Sequence, residues 1–203
     1  VTSGVITPDG HYVLSASTDK TLILWDAASG RMIRKMTGHR GPVMAVAITS
    51  DGKTAISSSY DGTLRRWNLK AGTTEHIYRG HTFNVNACAL SADGKVLVSG
   101  SVDETVKVWD VTSGRVIKTL NGHNGFVAAV AISPDGRRVL SGGSDTVVRL
   151  WDTKRGSMIN SMKGHKKPVW SVAFSPDGKT ALSGGGDEVI KLWDLATGVE
   201  IKF

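Results

Sequence analysis

Asp103-Glu104-Thr105-Val106-Lys107-Val108-Trp109-Asp110 decides the fold. Apolar and polar residues alternate up to the Trp-Asp pair, the pattern of a strand with one buried face. A step of 42 residues in either direction lands on the same landmarks. Trp25, Trp67, Trp109, Trp151 and Trp193 are equally spaced, four of them are followed by Asp, and Asp19, Asp61, Asp103, Asp145 and Asp187 keep the same phase. Gly38-His39, Gly80-His81, Gly122-His123 and Gly164-His165 recur with that period too. One structural unit is repeated about five times, so the chain is a repeat array.

Within each unit the reading is β throughout. Val1, Val43, Val85, Val127 and Val169 open an apolar segment, as in Val127-Ala-Ala-Val-Ala-Ile132. It is too brief for a helix and is expected to be a strand buried on both faces. A turn follows every time: Pro8-Asp9-Gly10, Ser50-Asp51-Gly52, Ala92-Asp93-Gly94, Pro134-Asp135-Gly136 and Pro176-Asp177-Gly178. Pro presets one turn angle and Gly takes the positive one, which predicts hairpins. Val96-Leu-Val-Ser-Gly-Ser101 then reads as a second strand, the Trp segment as a third, and a Ser-Gly or Thr-Gly turn such as Ser113-Gly114 opens a fourth. No 3.6-residue periodicity is present, so the fold class is all-β.

A period of roughly 40–45 residues with Gly-His early and Trp-Asp late resembles the WD40 repeat family, and it does so over the whole chain. The resemblance implies a WD40 β-propeller of five four-stranded antiparallel blades, at about residues 1–36, 37–78, 79–120, 121–162 and 163–203 of one domain, 1–203. Propellers of this family commonly close with seven or eight blades and splice the first blade to the last, which would make these five part of a larger propeller. The chain starts in a first strand and ends in a fourth, Gly198-Val-Glu-Ile-Lys-Phe203, with no strand left to exchange. An open ring would bare apolar surface on the outer sides of blades one and five, which self-association or neighbouring blades would relieve. The start at Val1, without initiator Met and partway through a repeat, reads as a segment of a longer polypeptide or a processed product.

The second to fifth units each hold a His, a Ser and an Asp in fixed order: His39, Ser57, Asp61; His81, Ser99, Asp103; His123, Ser141, Asp145; His165, Ser183, Asp187. A hydrolase triad has those residue types. Catalysis needs one such set in one pocket, whereas this one repeats in step with Trp67, Trp109, Trp151 and Trp193, and no Gly-x-Ser-x-Gly elbow presents the serine. No catalytic residue is therefore expected. The family resemblance implies instead that His, Ser, Asp and Trp form a hydrogen-bonded network inside each blade, consistent with the need of a buried carboxylate for full hydrogen bonding. The first unit has Ser15, Asp19 and Trp25 but lacks the His at the phase of the recurring Gly-His pair, so blade one is expected to be the least well tied.

Other chemistry finds little support. Gly178-Lys179-Thr180 and Gly52-Lys53-Thr54 look like the tail of a phosphate loop, but Ala173 and Ala47 stand where its leading Gly belongs, and a strand follows. Gly184-Gly185-Gly186 reads as a packing or turn variation. Four of the six histidines belong to the Gly-His pairs that recur at the 42-residue period and no Cys or His pair has metal-ligand spacing, so neither metal nor cofactor is expected. Cys88 shares the phase of Val46, Val130 and Val172 and reads as a core thiol. A single cysteine, no basic-then-apolar leader and no apolar run near the roughly 18 residues of a membrane span point to a cytoplasmic setting.

The net charge of +7 favours acidic partners in general. Arg65, Lys107, Arg149 and Lys191, however, stand two residues before four of the five repeat tryptophans, with Ile23 before Trp25, and this regular row reads as framework. Single-strand binders interleave such charge with stacking aromatics, and only 6% of this chain is aromatic. Recognition is better sought where the units differ, in the loops after Gly-His and just before the recurring Asp. In the WD40 family both sets open on one face. Aromatic anchors beside charge select Tyr60, Phe83, Phe126 and Trp170 with Arg40, Lys166 and Lys167 as partner-binding candidates. The expected function is a non-catalytic protein–protein interaction scaffold or sensor module of a larger regulatory protein, with protein or peptide partners and no membrane contact. The alternative is a nucleic-acid-associated propeller using its basic surface.

Overall fold

The structure, a computed structural model, describes residues 1–201. Blade one comprises β1 (Ser3–Ile6), β2 (Tyr12–Ala16), β3 (Leu22–Asp26) and β4 (Met32–Met36), and blade two β5 (Val43–Ile48), β6 (Thr54–Ser59), β7 (Thr63–Asn68) and β8 (Thr73–Arg79). Blade three follows with β9 (Val85–Leu90), β10 (Val96–Ser101), β11 (Val106–Asp110) and β12 (Val116–Leu120). Blade four has β13 (Val127–Ile132), β14 (Arg138–Gly143), β15 (Val147–Asp152) and β16 (Met158–Lys163), and blade five β17 (Val169–Phe174), β18 (Thr180–Gly185), β19 (Ile190–Asp194) and β20 (Glu200–Ile201). Each blade is one antiparallel sheet with its strands in chain order, and no sheet borrows a strand from another repeat. Of the terminal strand expected over 198–203, residues 202 and 203 lie outside the described residues.

The turn residues act as their chemistry dictates. In every hairpin between first and second strands the Asp Oδ1 accepts the N–H two residues on, as Asp93 does from Lys95 at 3.0 Å, while Gly94 takes the left-handed φ of 69°. The Asp after each Trp works over a longer step, Asp110 Oδ1 accepting from Ser113 N–H at 2.7 Å and so shaping the turn into the fourth strand. Blade two departs from the repeat at three positions that meet in space. Asn68 keeps the turn bond, to Ala71 N–H at 2.9 Å, and donates through Nδ2 to Glu75 Oε1 at 3.0 Å, while Arg66 Nε lies 3.2 Å from Glu75 Oε2. An Asp at position 68 would set a second carboxylate against Glu75, so Asn68 follows from the exchange at its neighbours.

A feature not legible in the repeat is the residue after each network Asp. Lys20, Gly62, Glu104, Thr146 and Glu188 all have φ between 65° and 79°, and only blade two places Gly there. A β-branched residue in this region is strained, at a cost on the order of 1–3 kcal/mol. Thr146→Gly is therefore expected to raise stability by about 1 kcal/mol, read as a higher urea midpoint at unchanged slope.

The cores lie between blades. Leu14, Leu22, Leu24 and Met36 of blade one pack on Val43, Val46, Ala55, Trp67 and Leu69 of blade two. The same phases meet at the next three junctions. Hydrogen bonds cross them as well: Tyr78 Oη and Arg66 Nη1 both donate to the Val111 carbonyl at 3.0 Å, and Asn160 Nδ2 to the Leu195 carbonyl at 3.1 Å. The first strands differ from expectation in burial. In β5 only Val43 and Val46 are fully buried, at the blade junction, while Met44, Ala45, Ala47 and Ile48 stay half-buried. Val1 precedes β1 rather than opening it and is exposed. Cys88 as a residue is half-exposed, yet its thiol packs at the junction of blades two and three, where burial pushes its pKa up to about 12 and leaves it unreactive.

Successive blades pack through their first strands, β1 on β5, β5 on β9, β9 on β13 and β13 on β17. Among the described residues no packing of that extent joins β17 back to β1, and the array they form is open.

Candidate functional site

In blades two to five the His, Ser, Asp and Trp side chains meet. Trp109 Nε1 donates to Ser99 Oγ at 2.8 Å, Ser99 Oγ lies 2.7 Å from His81 Nε2, and His81 Nδ1 lies 2.7 Å from Asp103 Oδ2. Because the indole N–H occupies a lone pair of Oγ, the hydroxyl proton is free for Nε2, and Nδ1–H donates to the carboxylate. The corresponding chain in blade two runs through Trp67, Ser57, His39 and Asp61 at 2.8, 2.7 and 2.8 Å. In blade five it runs through Trp193, Ser183, His165 and Asp187 at 2.8, 2.8 and 2.9 Å. Blade four repeats it with Trp151, Ser141, His123 and Asp145, and adds Arg149 Nη1 at 2.5 Å from Asp145 Oδ2. Each carboxylate also accepts the backbone N–H that follows Gly-His, from Arg40, Thr82, Asn124 and Lys166. The Gly is set by packing, since a Cβ on Gly80 would stand 2.9 Å from the Trp109 ring.

Burial alone would push the Asp61 carboxyl up; the donors from His39, Thr63 and the Arg40 amide outweigh it and hold the group below the ordinary carboxylate range. Asp103 is held down in the same way by His81 and Thr105. Burial, with help from Arg149, pulls the His123 pKa down despite Asp145, keeping that imidazole neutral. The serines are sealed: Ser57, Ser99 and Ser141 are 0% exposed and Ser183 1%, so no substrate reaches their Oγ. Four sealed copies of one relay are a structural device. His39→Ala, His81→Ala and His165→Ala are each expected to cost about 2 kcal/mol in urea unfolding, because each leaves a buried carboxylate and a hydroxyl short of a partner. One His whose loss cost nothing in stability would point to a different role for it. Blade one keeps the Trp25 Nε1 to Ser15 Oγ bond at 2.8 Å, but its Asp19 turns to Thr21 and Trp25 is only half-buried.

On the end of the array where the Gly-His loops open lies a groove of about 280 Å³ lined by Met44, Tyr60, Asn86, Val102, Phe126, Ala128 and Trp170. Met44, Asn86, Ala128 and Trp170 share one phase, the residue directly after the Val that opens each unit's first strand having its side chain here from blades two to five. Tyr60 and Val102 come from the turns before the network Asp. Those turns are stitched to the Gly-His loops by Tyr60 N–H to the Pro42 carbonyl and Val102 N–H to the Asn84 carbonyl, both at 2.9 Å. Phe126 and Trp170 stack obliquely, with ring centroids 5.8 Å apart. Gly186 makes room for the indole, since a Cβ there would stand 3.0 Å from Trp170 Nε1. Tyr60 and Trp170 are 41% and 56% exposed, so the groove is open to solvent.

Of the seven partner-binding candidates the groove gathers Tyr60, Phe126 and Trp170. Phe83 is exposed outside its lining, as are Arg40, Lys166 and Lys167. Val102 lies just before the network Asp, where the sequence reading sought recognition, without being selected, and Met44, Asn86 and Ala128 escaped that reading. Their signal was variation at a fixed phase, since Thr2, Met44, Asn86, Ala128 and Trp170 differ while the preceding Val does not. Among the described residues no group of three or more His, Cys, Asp or Glu is placed to hold a metal ion, and no helix is long and apolar enough to cross a membrane.

Five open-stacked antiparallel sheets, each tied by Trp, Ser, His and Asp or a remnant of that set, define a β-propeller of the WD-repeat class. The model of the WD domain, G-beta repeat, matches residues 1–26, 30–68, 72–110, 114–152 and 156–194, and the chain belongs to the WD40 family. Each of the last four matched units begins with the fourth strand of one blade and ends with the third strand of the next, so the sequence repeat is offset from the sheet by one strand. No curated protein matches the chain. WD40 repeats generally mediate protein–protein interaction, and the family is generally non-catalytic.

Proposed function

We propose that this chain is a non-catalytic docking platform that holds a short segment of a partner protein across the Tyr60, Phe126 and Trp170 groove, as a scaffold or sensor module in a larger cytoplasmic regulatory assembly. The observation that carries it is the groove itself, where aromatic side chains from three blades converge and Gly186 is cut back to seat the Trp170 indole. Exposed Trp and Tyr at the centre of a concave patch are the side chains that dominate interface energetics. No Lys or Arg lines the groove, which favours an apolar anchor residue over a phosphate backbone.

Selection from a random-peptide display library on the purified chain tests the reading. Enriched peptides are expected to share an aromatic or long aliphatic anchor and to lose at least about tenfold in affinity, or 1.4 kcal/mol, on Trp170→Ser. The thermal midpoint of that variant should be unchanged, because Trp170 is more than half exposed. Peptides indifferent to Trp170→Ser would remove the groove from consideration. Tight single-stranded DNA binding that collapses with added salt would move the assignment to nucleic acid.

A further inference from the structure

A cleft of about 460 Å³ lies between blades one and two, at the end of the array opposite the Gly-His loops. Leu24 and Leu69, both buried, form its floor, and Tyr12 and Ile33 its walls. Arg34, Lys53 and Lys70 stand around it, all exposed, and no carboxylate lines it.

The cleft arises because blade one lacks the side chains that bridge other junctions at this level. Blade two sends Arg66 and Tyr78 across to the Val111 carbonyl. Blade four sends Asn160 to the Leu195 carbonyl and Arg138 to the Gly178 carbonyl, the latter at 2.7 Å. At those four phases blade one has Leu24, Met36, Arg34 and Tyr12. Leu24 and Met36 carry no donor, and Arg34 passes on to the Ala71 carbonyl at 3.3 Å. The Leu69 carbonyl, at the phase of Val111 and Leu195, therefore accepts no hydrogen bond among the described residues.

The charge around the cleft is unopposed. Among the described residues Arg34, Lys53 and Lys70 form no ion pair. The carboxylates of the surrounding turns are already engaged, Asp9 by Thr7 and His11, Asp26 by Ser29, and Asp51 by Thr49 and the Lys53 amide. The stem of Arg34 lies over Gly72, where a Cβ would collide with it, so the guanidinium is held in place beside the cleft.

We propose that this cleft binds a small amphipathic carboxylate, its aromatic or aliphatic body seated on Leu24 and Leu69 and its carboxylate set against Arg34 and Lys53. The volume falls within the range of small-ligand sites, about 300–1,000 Å³. Burial of the ligand's apolar body supplies affinity, and a fixed guanidinium offers a carboxylate two parallel N–H donors. A hydroxyl or amide N–H on the ligand would meet the open Leu69 carbonyl. The cleft and the Tyr60, Phe126 and Trp170 groove lie at opposite ends of the array, and the cleft stands whether or not that groove takes a peptide.

Isothermal titration calorimetry of the 203-residue chain with 2-naphthoate, and with 2-naphthalenemethanol as its neutral counterpart, tests this. The carboxylate is expected to saturate one site with a Kd of about 1 mM or tighter, and the alcohol to bind at least about fivefold more weakly. Arg34→Gln combined with Lys53→Gln should bring the carboxylate down to the affinity of the alcohol, and both positions are exposed, so the fold is kept. Leu24→Arg combined with Ile33→Glu copies the Arg66 and Glu75 pair of blade two into blade one and should fill the cleft and abolish binding. Circular dichroism checks that this second variant folds, and the glutamine variant decides alone where it does not. Absence of saturable binding by the carboxylate overturns the proposal. So does equal affinity for acid and alcohol, binding that survives the glutamine variant undiminished, or binding lost on Trp170→Ser, which would put the probe in the aromatic groove.

Discussion

Trp109→Ala is expected to remove about 3–5 kcal/mol of stability, the range for truncating a fully buried Trp. Two losses add at this site. The indole is 0% exposed between blades two and three, where it packs with Ile56, Leu64 and Tyr78, whose ring meets it edge-on at 5.9 Å. Its N–H also holds Ser99 Oγ at 2.8 Å, so truncation loosens the hydroxyl that faces His81. Trp25→Ala removes the same side chain from a half-buried site without a His, and is expected to cost less than half as much. Urea unfolding of the two variants decides the matter, and equal losses would mean that blade junctions and the relay contribute little to the difference between an inner and an outer blade.

Acid is expected to unfold the protein from within. A carboxylate whose folded pKa lies below its unfolded value contributes stability that is fully present above about pH 4 and is lost as pH falls through the folded value. Asp61 and Asp103 are held well below the ordinary range by their His and Thr donors, and each contributes on the order of 2 kcal/mol at neutral pH. Asp145 shifts in the same direction, and Asp187 is held at about 2 by the Lys166 amide and His165. His123 acts at higher pH. Its folded pKa is depressed, so its contribution is present above about 6.5 and declines as the unfolded chain takes up the proton below that. Thermal midpoints should fall slightly from pH 7 to pH 5 and steeply from pH 4 to pH 2. Asp103→Asn should be less stable than the parent at pH 7 and should lose less on acidification. A midpoint at pH 3 equal to that at pH 7 would rule out ionised network carboxylates.

Most of the fold was legible because the residues that fix it repeat. Gly80, His81, Asp103 and Trp109 form one contact set, each defined by the others' atoms, and selection of a whole set at a period leaves a signal that a single site does not. The relay was legible as a set of residues, and its sealed serines became evident only when burial was known. Thr146 shows the opposite case. Its left-handed backbone is dictated by the network turn, yet Lys20, Glu104 and Glu188 occupy the same conformation, so residue type carries no warning. Asn68, which stands where the other four units have Asp after the Trp, finds its reason in Glu75 on the neighbouring strand, a partner that the repeat pattern does not reveal. The groove was half legible: aromatic loop residues stand out, whereas Met44 and Asn86 belong to strands and gain their meaning from the convergence of four blades.

The one-strand offset between repeat and sheet bears on how such a gene lengthens and shortens. If a 42-residue stretch beginning at Gly72 were lost, β8 to β11 would go with it, and β12 would follow directly on β7. The new junction supplies a fourth strand to the sheet that lost its own, and the same holds for a cut at any other phase of the repeat. Unequal recombination between neighbouring repeats thus adds or removes whole blades without having to find a blade boundary in the DNA.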